Sequence, residues 1–225
     1  MDDLEFFDLV KSGDFKKILN EPITLRATLA ESSIRWGKAL ASNLKEVPGK
    51  VLVSAGILRE LSGTNITALH LAAMNGYLCN LPDDLLEQHM LHECKSVSAP
   101  LEVAARHQRL NQLPSTVLTA ANLLKMGKRH TALHEAAIAD SLSQIPNDVL
   151  TVENLLAADW LGITPLDLAG PDSLEYLLGL ELEGSPYAGR FRDIVGEEWW
   201  RKNQEVISRK TGLGCEEQIQ EVDLF

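Results

Sequence analysis

Thr67-Ala-Leu-His-Leu-Ala-Ala73 returns along the chain as Ala99-Pro-Leu-Glu-Val-Ala-Ala105, Thr131-Ala-Leu-His-Glu-Ala-Ala137 and Thr164-Pro-Leu-Asp-Leu-Ala-Gly170. The four copies start 32, 32 and 33 residues apart. A second marker keeps the same step: Leu81-Pro82, Leu113-Pro114 and Ile145-Pro146 are each 32 residues apart. A third follows it, as Val117-Leu-Thr119 with Leu123-Leu124 and Val149-Leu-Thr151 with Leu155-Leu156. Three markers in phase identify an internal repeat, and a repeat of this length implies stacked supersecondary units.

Each unit reads as helix, Pro-containing turn, helix, loop. Leucine and paired alanines recur at helical spacing, and small alanines let a neighbouring helix approach closely. Thr at the head of the unit is a helix cap, its hydroxyl accepting from an orphan N–H. The Leu-Pro pair is expected to end the first helical region, since Pro cannot continue a helix and restricts the residue before it. Thr119 and Thr151 precede a second helical run, with Glu153 placed to suit the positive end of a helix. Upstream, Val47-Pro48 with Val51-Leu52 and Ile57-Leu58 is a weaker copy, with Trp36 at the position of His70. Leu9 to Leu19 is a more degenerate opening unit, as expected of terminal repeats whose outer face meets water.

These motifs resemble the Thr-Pro-Leu-His-x-Ala-Ala signature of ankyrin repeats. Asp159-Trp-Leu-Gly162-Ile-Thr164-Pro165-Leu166 is similar to the family's Asp-x-x-Gly-x-Thr-Pro-Leu opening. The resemblance covers residues 64–180 well and 1–63 loosely. It implies an all-α, ankyrin-like helical solenoid of about five to six units, used to recognise another macromolecule. It further implies structural roles for Thr67, His70, Thr131 and His134. Two departures stand out. A Leu-Pro-x-x-Val-Leu-Thr segment is inserted before the second helix, which leaves the path of that helix open. The unit at 99–105 lacks both Thr and His, which predicts a looser helix there.

Domain organisation follows: degenerate N-terminal capping repeats over 1–63, ankyrin-like repeats over 64–183, and a C-terminal capping helix and tail over 184–225. In the tail, Trp199, Trp200, Val206 and Ile207 share one helical face. That face suits either a cap on the last repeat or a docking helix for a partner.

Composition bounds the function. Hydrophobic residues make up 45% and aromatic residues 5% of the 225, a Leu- and Ala-rich mix suited to short packed helices. The net charge of −11 sets the chain against phosphate backbones, so no nucleic-acid partner is expected. Cys79, Cys94 and Cys215 are too few and too widely spaced for a disulfide framework, which points to a reducing compartment. No segment approaches a membrane span and no basic leader opens the chain, so the expected location is cytoplasmic and no membrane partner is expected.

No catalytic signature is present, and neither an enzymatic role nor a cofactor is expected. His89-Met-Leu-His92-Glu-Cys94 has residue types that bind zinc. The competing reading is a solvated polar helix face, because no other unit carries ligands at the matching positions. Between Ser98 and His130, Arg106, Arg109, Lys125, Lys128 and Arg129 face a single acid, Glu102, so this block carries +4 and the rest of the chain −15. Such an island either receives an acidic protein surface or merely solvates one repeat. Trp160 is either an exposed anchor or a ring folded back on the adjacent loop. The candidate partner-binding residues are therefore Arg106, His107, Lys128, Arg129 and Trp160. The alternatives to a protein-binding module are a metal-binding or enzymatic protein using the tail or the His89–Cys94 cluster, and a structural homo-oligomer.

Overall fold

The computed structural model describes residues 8–9, 12, 33–54, 56–61, 65–92, 98–127 and 129–182. The expected capping helix over 184–225 and most of the opening unit lie outside the described residues. Among those described, the chain is all-α, the only extended pairing being two isolated bridges, Glu60 with Thr67 and Met126 with Thr131. In chain order the α-helices are α1 (Ser33–Leu40), α2 (Gly49–Ser54), α3 (Ala68–Asn75), α4 (Asp83–His89), α5 (Pro100–Arg106), α6 (Ala120–Leu123), α7 (Ala132–Ile138), α8 (Val152–Leu155), α9 (Pro165–Leu168) and α10 (Pro171–Leu182).

Helices α1, α3, α5, α7 and α9 pack side by side in that order. Their contact surfaces are the small residues of the repeated motif. Ala72, Ala73, Ala104, Ala105, Ala136 and Ala137 are all fully buried, with Leu69, Leu101 and Leu133 beside them in one continuous apolar core. No one of these short helices has enough apolar surface to be stable alone. Their stability comes from neighbours on both flanks.

Local chemistry sets where each begins. Thr67 and Thr131 hold extended backbone, and their hydroxyls accept from the His70 and His134 N–H groups. Pro100 opens α5 at a position where a missing N–H costs nothing. Helices α3, α5 and α7 end within two residues of a left-handed residue, and this too keeps the period: Gly76, Gln108 and Asp140 have φ of 78°, 58° and 55°. Only glycine adopts that conformation freely, so Gln108 and Asp140 are held there by what they bond. Gln108 Nε2 donates to the Ala139 carbonyl at 2.6 Å. The Asp140 carboxylate accepts from the Asp172 and Ser173 N–H groups and so seats the start of α10.

The Leu-Pro pair does not end the first helix, contrary to the expectation. Helices α3, α5 and α7 have already stopped by the left-handed residue, and a 3-10 turn follows, at Leu78–Asn80, Leu110–Gln112 and Leu142–Gln144. The residue before each proline is then extended, as the proline ring requires. The second helix differs between units. After Pro82, α4 begins at once, with Asp83 and Asp84 in its first turn. After Pro114 and Pro146 a turn intervenes, and Thr119 and Thr151 cap helices of only 4 residues. Asn122 and Asn154 reach back to the Val117 and Val149 carbonyls, which fixes that turn against the helix.

The unit at 99–105 is not loose. Every residue from Pro100 to Ala105 is buried, and Glu102 replaces the missing signature by accepting the Ala99 N–H at 3.3 Å.

Candidate functional site

Two histidines tie successive units together. His70 Nδ1 accepts from the Thr67 N–H at 3.2 Å and meets its hydroxyl at 2.8 Å. The proton therefore sits on Nε2, which donates to the Ser98 carbonyl at 2.9 Å. His134 repeats the arrangement, with Thr131 Oγ1 at 2.7 Å and the Ile163 carbonyl at 2.9 Å. Burial lowers the pKa of both rings and outweighs the carbonyl contacts, which act the other way. Neutral, buried and fully bonded, these histidines are fold-keeping groups.

The second ring of interest lies one step outward. His130 stacks on His134 with centroids 5.7 Å apart and meets Asp159 Oδ2 through Nδ1 at 2.8 Å. Asp159 Oδ1 accepts from the Leu161 N–H at 2.7 Å and the Ile163 N–H at 3.0 Å, and the Asp159 N–H donates to the Ile163 carbonyl at 2.8 Å. Burial raises the Asp159 pKa, but the Ile163 and Leu161 N–H groups and the His130 ring hold it below the usual carboxylate range. Gly162, with φ of 77°, completes the turn. The loop Asp159–Ile163 is thus built around one carboxylate.

That carboxylate positions two apolar side chains in water. Trp160 is 67% and Leu161 57% exposed. The Trp160 indole N–H donates to the Arg129 carbonyl at 3.0 Å, which fixes the ring against the neighbouring loop without covering it. Each of the two readings of Trp160 describes one part of this: the polar edge is tethered and the bulk of the ring stays exposed. Arg129 is exposed beside it, on the turn that the Gly127 N–H closes onto the His130 carbonyl at 3.2 Å. Met126, at the base of the same turn, is also exposed. Lys128 lies outside the described residues.

The remaining members of the basic stretch stand elsewhere. Arg106 donates to Glu135 through both Nε, at 2.9 Å, and Nη2, at 2.6 Å, a bidentate pair that joins α5 to α7. The Arg106 side chain is 46% exposed and that of Glu135 only 5%. The bond to Glu135 raises the Arg106 pKa, so this cation is committed to a buried carboxylate. His107 is exposed at the C-terminal end of α5. Arg109 and Gln112 lie against Gly76, where a side chain would crowd the guanidinium at 3.1 Å. The island read from the sequence is therefore divided, and of the five candidate residues the structure brings Arg129 and Trp160 together.

The sequence reading missed Leu161, Met126 and Glu135. The Asp-x-x-Gly spacing held a signal for Leu161, since it specifies a turn whose two inner residues face outward. In the His89–Cys94 cluster, His89 and His92 are half-buried at the end of α4, where the His92 N–H donates to the His89 carbonyl at 3.0 Å. Burial and the neighbouring His92 lower the His89 pKa. Cys94 lies outside the described residues, among which no group of three or more His, Cys, Asp or Glu is placed to hold a metal ion. No described helix is long and apolar enough to cross a membrane. No protein-family model matches this chain, and no characterised protein matches it in sequence.

Proposed function

We propose that the chain is an ankyrin-like solenoid of about five to six units that acts as a protein–protein interaction module, working without a cofactor and not as an enzyme. The in-phase left-handed stops, 3-10 turns and Thr–His ties support the architecture. The observation that carries the function is the exposed Trp160–Leu161 pair on a turn fixed by Asp159, with Arg129 adjoining it. A rigid aromatic beside a cation is the arrangement that dominates binding at protein interfaces, because little conformational entropy is lost on contact. The partner is a protein whose surface offers an apolar recess flanked by acidic groups, rather than a nucleic acid or a membrane. The exposed free thiol of Cys79 suits a reducing, cytoplasmic setting.

The test is affinity capture from the source cell with the native chain, Trp160→Ala and Arg129→Glu, each variant first shown to melt like the native protein. A protein captured stoichiometrically by the native chain and lost by both variants supports the site. Equal capture by all three places the contact elsewhere.

A further inference from the structure

The third residue of each first helix is His70, Glu102, His134 and Asp167 in turn. The two imidazoles span from their own unit to a carbonyl of the next. Asp167 is exposed, and its carboxylate accepts from both the N–H and the hydroxyl of Thr164. Glu102 matches neither case. It is only 5% exposed. Its Oε1 accepts the Ala99 N–H, as the His70 ring accepts that of Thr67. Its Oε2 is buried with no hydrogen-bond partner among the described residues.

The following loop closes directly on this carboxyl. A Cβ on Gly127 would collide with its atoms, so the Glu102 head lies where a side chain would otherwise be. Beside it is a cavity with room for a single water-sized sphere, walled by Leu91, Leu101 and Met126 and by the polar Asn122 and Lys125. Every element around the carboxyl contributes a charge or a dipole. Arg106 lies on its own helix but is bound to Glu135 of α7, whose carboxylate opposes a second negative charge here. Lys125 comes from the segment after α6, while the Ser98 side chain and the Ala99 N–H before α5 favour the charged form. Burial is the largest influence, and the balance holds the Glu102 pKa above that of an ordinary glutamate. Holding a charged carboxylate this far from water is costly, and the neutral acid avoids that cost.

We propose that Glu102 takes up a proton when the chain folds, and that the neutral acid is the form packed between α5 and the Gly127 loop. The joint between α5 and α7 is then a proton-binding site, tighter in acid than in base. The sign follows from linkage: the folded state binds this proton more strongly than the unfolded chain does. The contribution is therefore fully present below the unfolded value of about 4.3 and is lost as pH rises through the folded value.

Glu102→Gln keeps the shape and is neutral at every pH. At pH 8 this variant melts above the native chain, by about 2–4 °C, and the difference closes as pH is lowered. A difference that stays constant from pH 8 down to about 4.5 would overturn the proposal. NMR titration of the Glu102 side-chain carboxyl carbon in the native protein decides the matter independently, should the variant fail to fold. A midpoint above the ordinary glutamate range supports the proton site, and one at or below that range sinks it.

Discussion

Arg106 is open to two readings, a cation presented to a partner or a clamp on a buried carboxylate, and its replacement separates them. In Arg106→Leu the guanidinium is gone while Glu135 keeps a side chain only 5% exposed, with the Glu102 carboxyl near enough to act on it. Removing one member of a fully buried ion pair costs about 3–5 kcal/mol, because the charge left behind has no partner. The Arg106 side chain is 46% exposed, so water screens the pair and a cost of about 2 kcal/mol is the better figure here. For a chain of this length that lowers the melting temperature by about 4–8 °C. In Arg106→Leu with Glu135→Leu no orphaned carboxylate remains, and most of the lost stability returns. The assay is a double-mutant cycle by thermal or urea unfolding, with Glu135→Leu as the fourth corner. If Arg106→Leu melts like the native chain, or the double variant is no better than the single one, the clamp is refuted and Arg106 returns to the list of partner-binding residues. The consequence for binding experiments is direct. Charge reversal at Arg106 would set a second carboxylate against the buried Glu135, and partner loss would then report damage to the fold, whereas Arg129 is free of this objection.

Two further outcomes are expected. In Gly162→Ala the new Cβ meets nothing within 4 Å, so the cost comes from the backbone φ of 77° alone; about 1 kcal/mol is expected, read as a fall in melting temperature of about 2–4 °C, and an unchanged melt would show that the turn readily takes another conformation. Burial lowers the pKa of His70 and His134, so the unfolded chain binds protons near pH 6.5 that the folded chain refuses. Stability should therefore fall as pH drops below that value, by up to about 1.4 kcal/mol per pH unit for each ring. Urea midpoints between pH 7.5 and 5.5, taken in the Glu102→Gln background to remove the opposing contribution, check this, and a flat profile would show that the rings take up protons inside the fold.

What the sequence disclosed and what it withheld divide along a physical line. Thr67, His70, Ala72 and Ala73 recur because a cap, a bridging ring and a close helix contact each admit few side chains, so repetition of the geometry forces repetition of the letters. Leu-Pro was legible as a break but misplaced as the end of a helix. The true stop is a backbone conformation that Gly76, Gln108 and Asp140 share with no common side chain. The second helices could not be measured in advance, since helices of 4 residues are shorter than the period that would reveal them. At the tip, Asp159 and Gly162 announced a turn, yet the exposure of Trp160 depends on a bond to the carbonyl of Arg129, 31 residues away. Glu102 is the sharpest instance. Read letter by letter, Ala99 and Glu102 are two losses from a signature, and the inference of a loosened helix follows. In three dimensions the carboxyl occupies the seat of the imbidazole-bearing residue, accepts the N–H that residue would accept, and fills the space left by Gly127. The departure exchanges a bridging ring for a packed carboxyl, and it brings a proton dependence opposite in sign to that of the two histidines on either side.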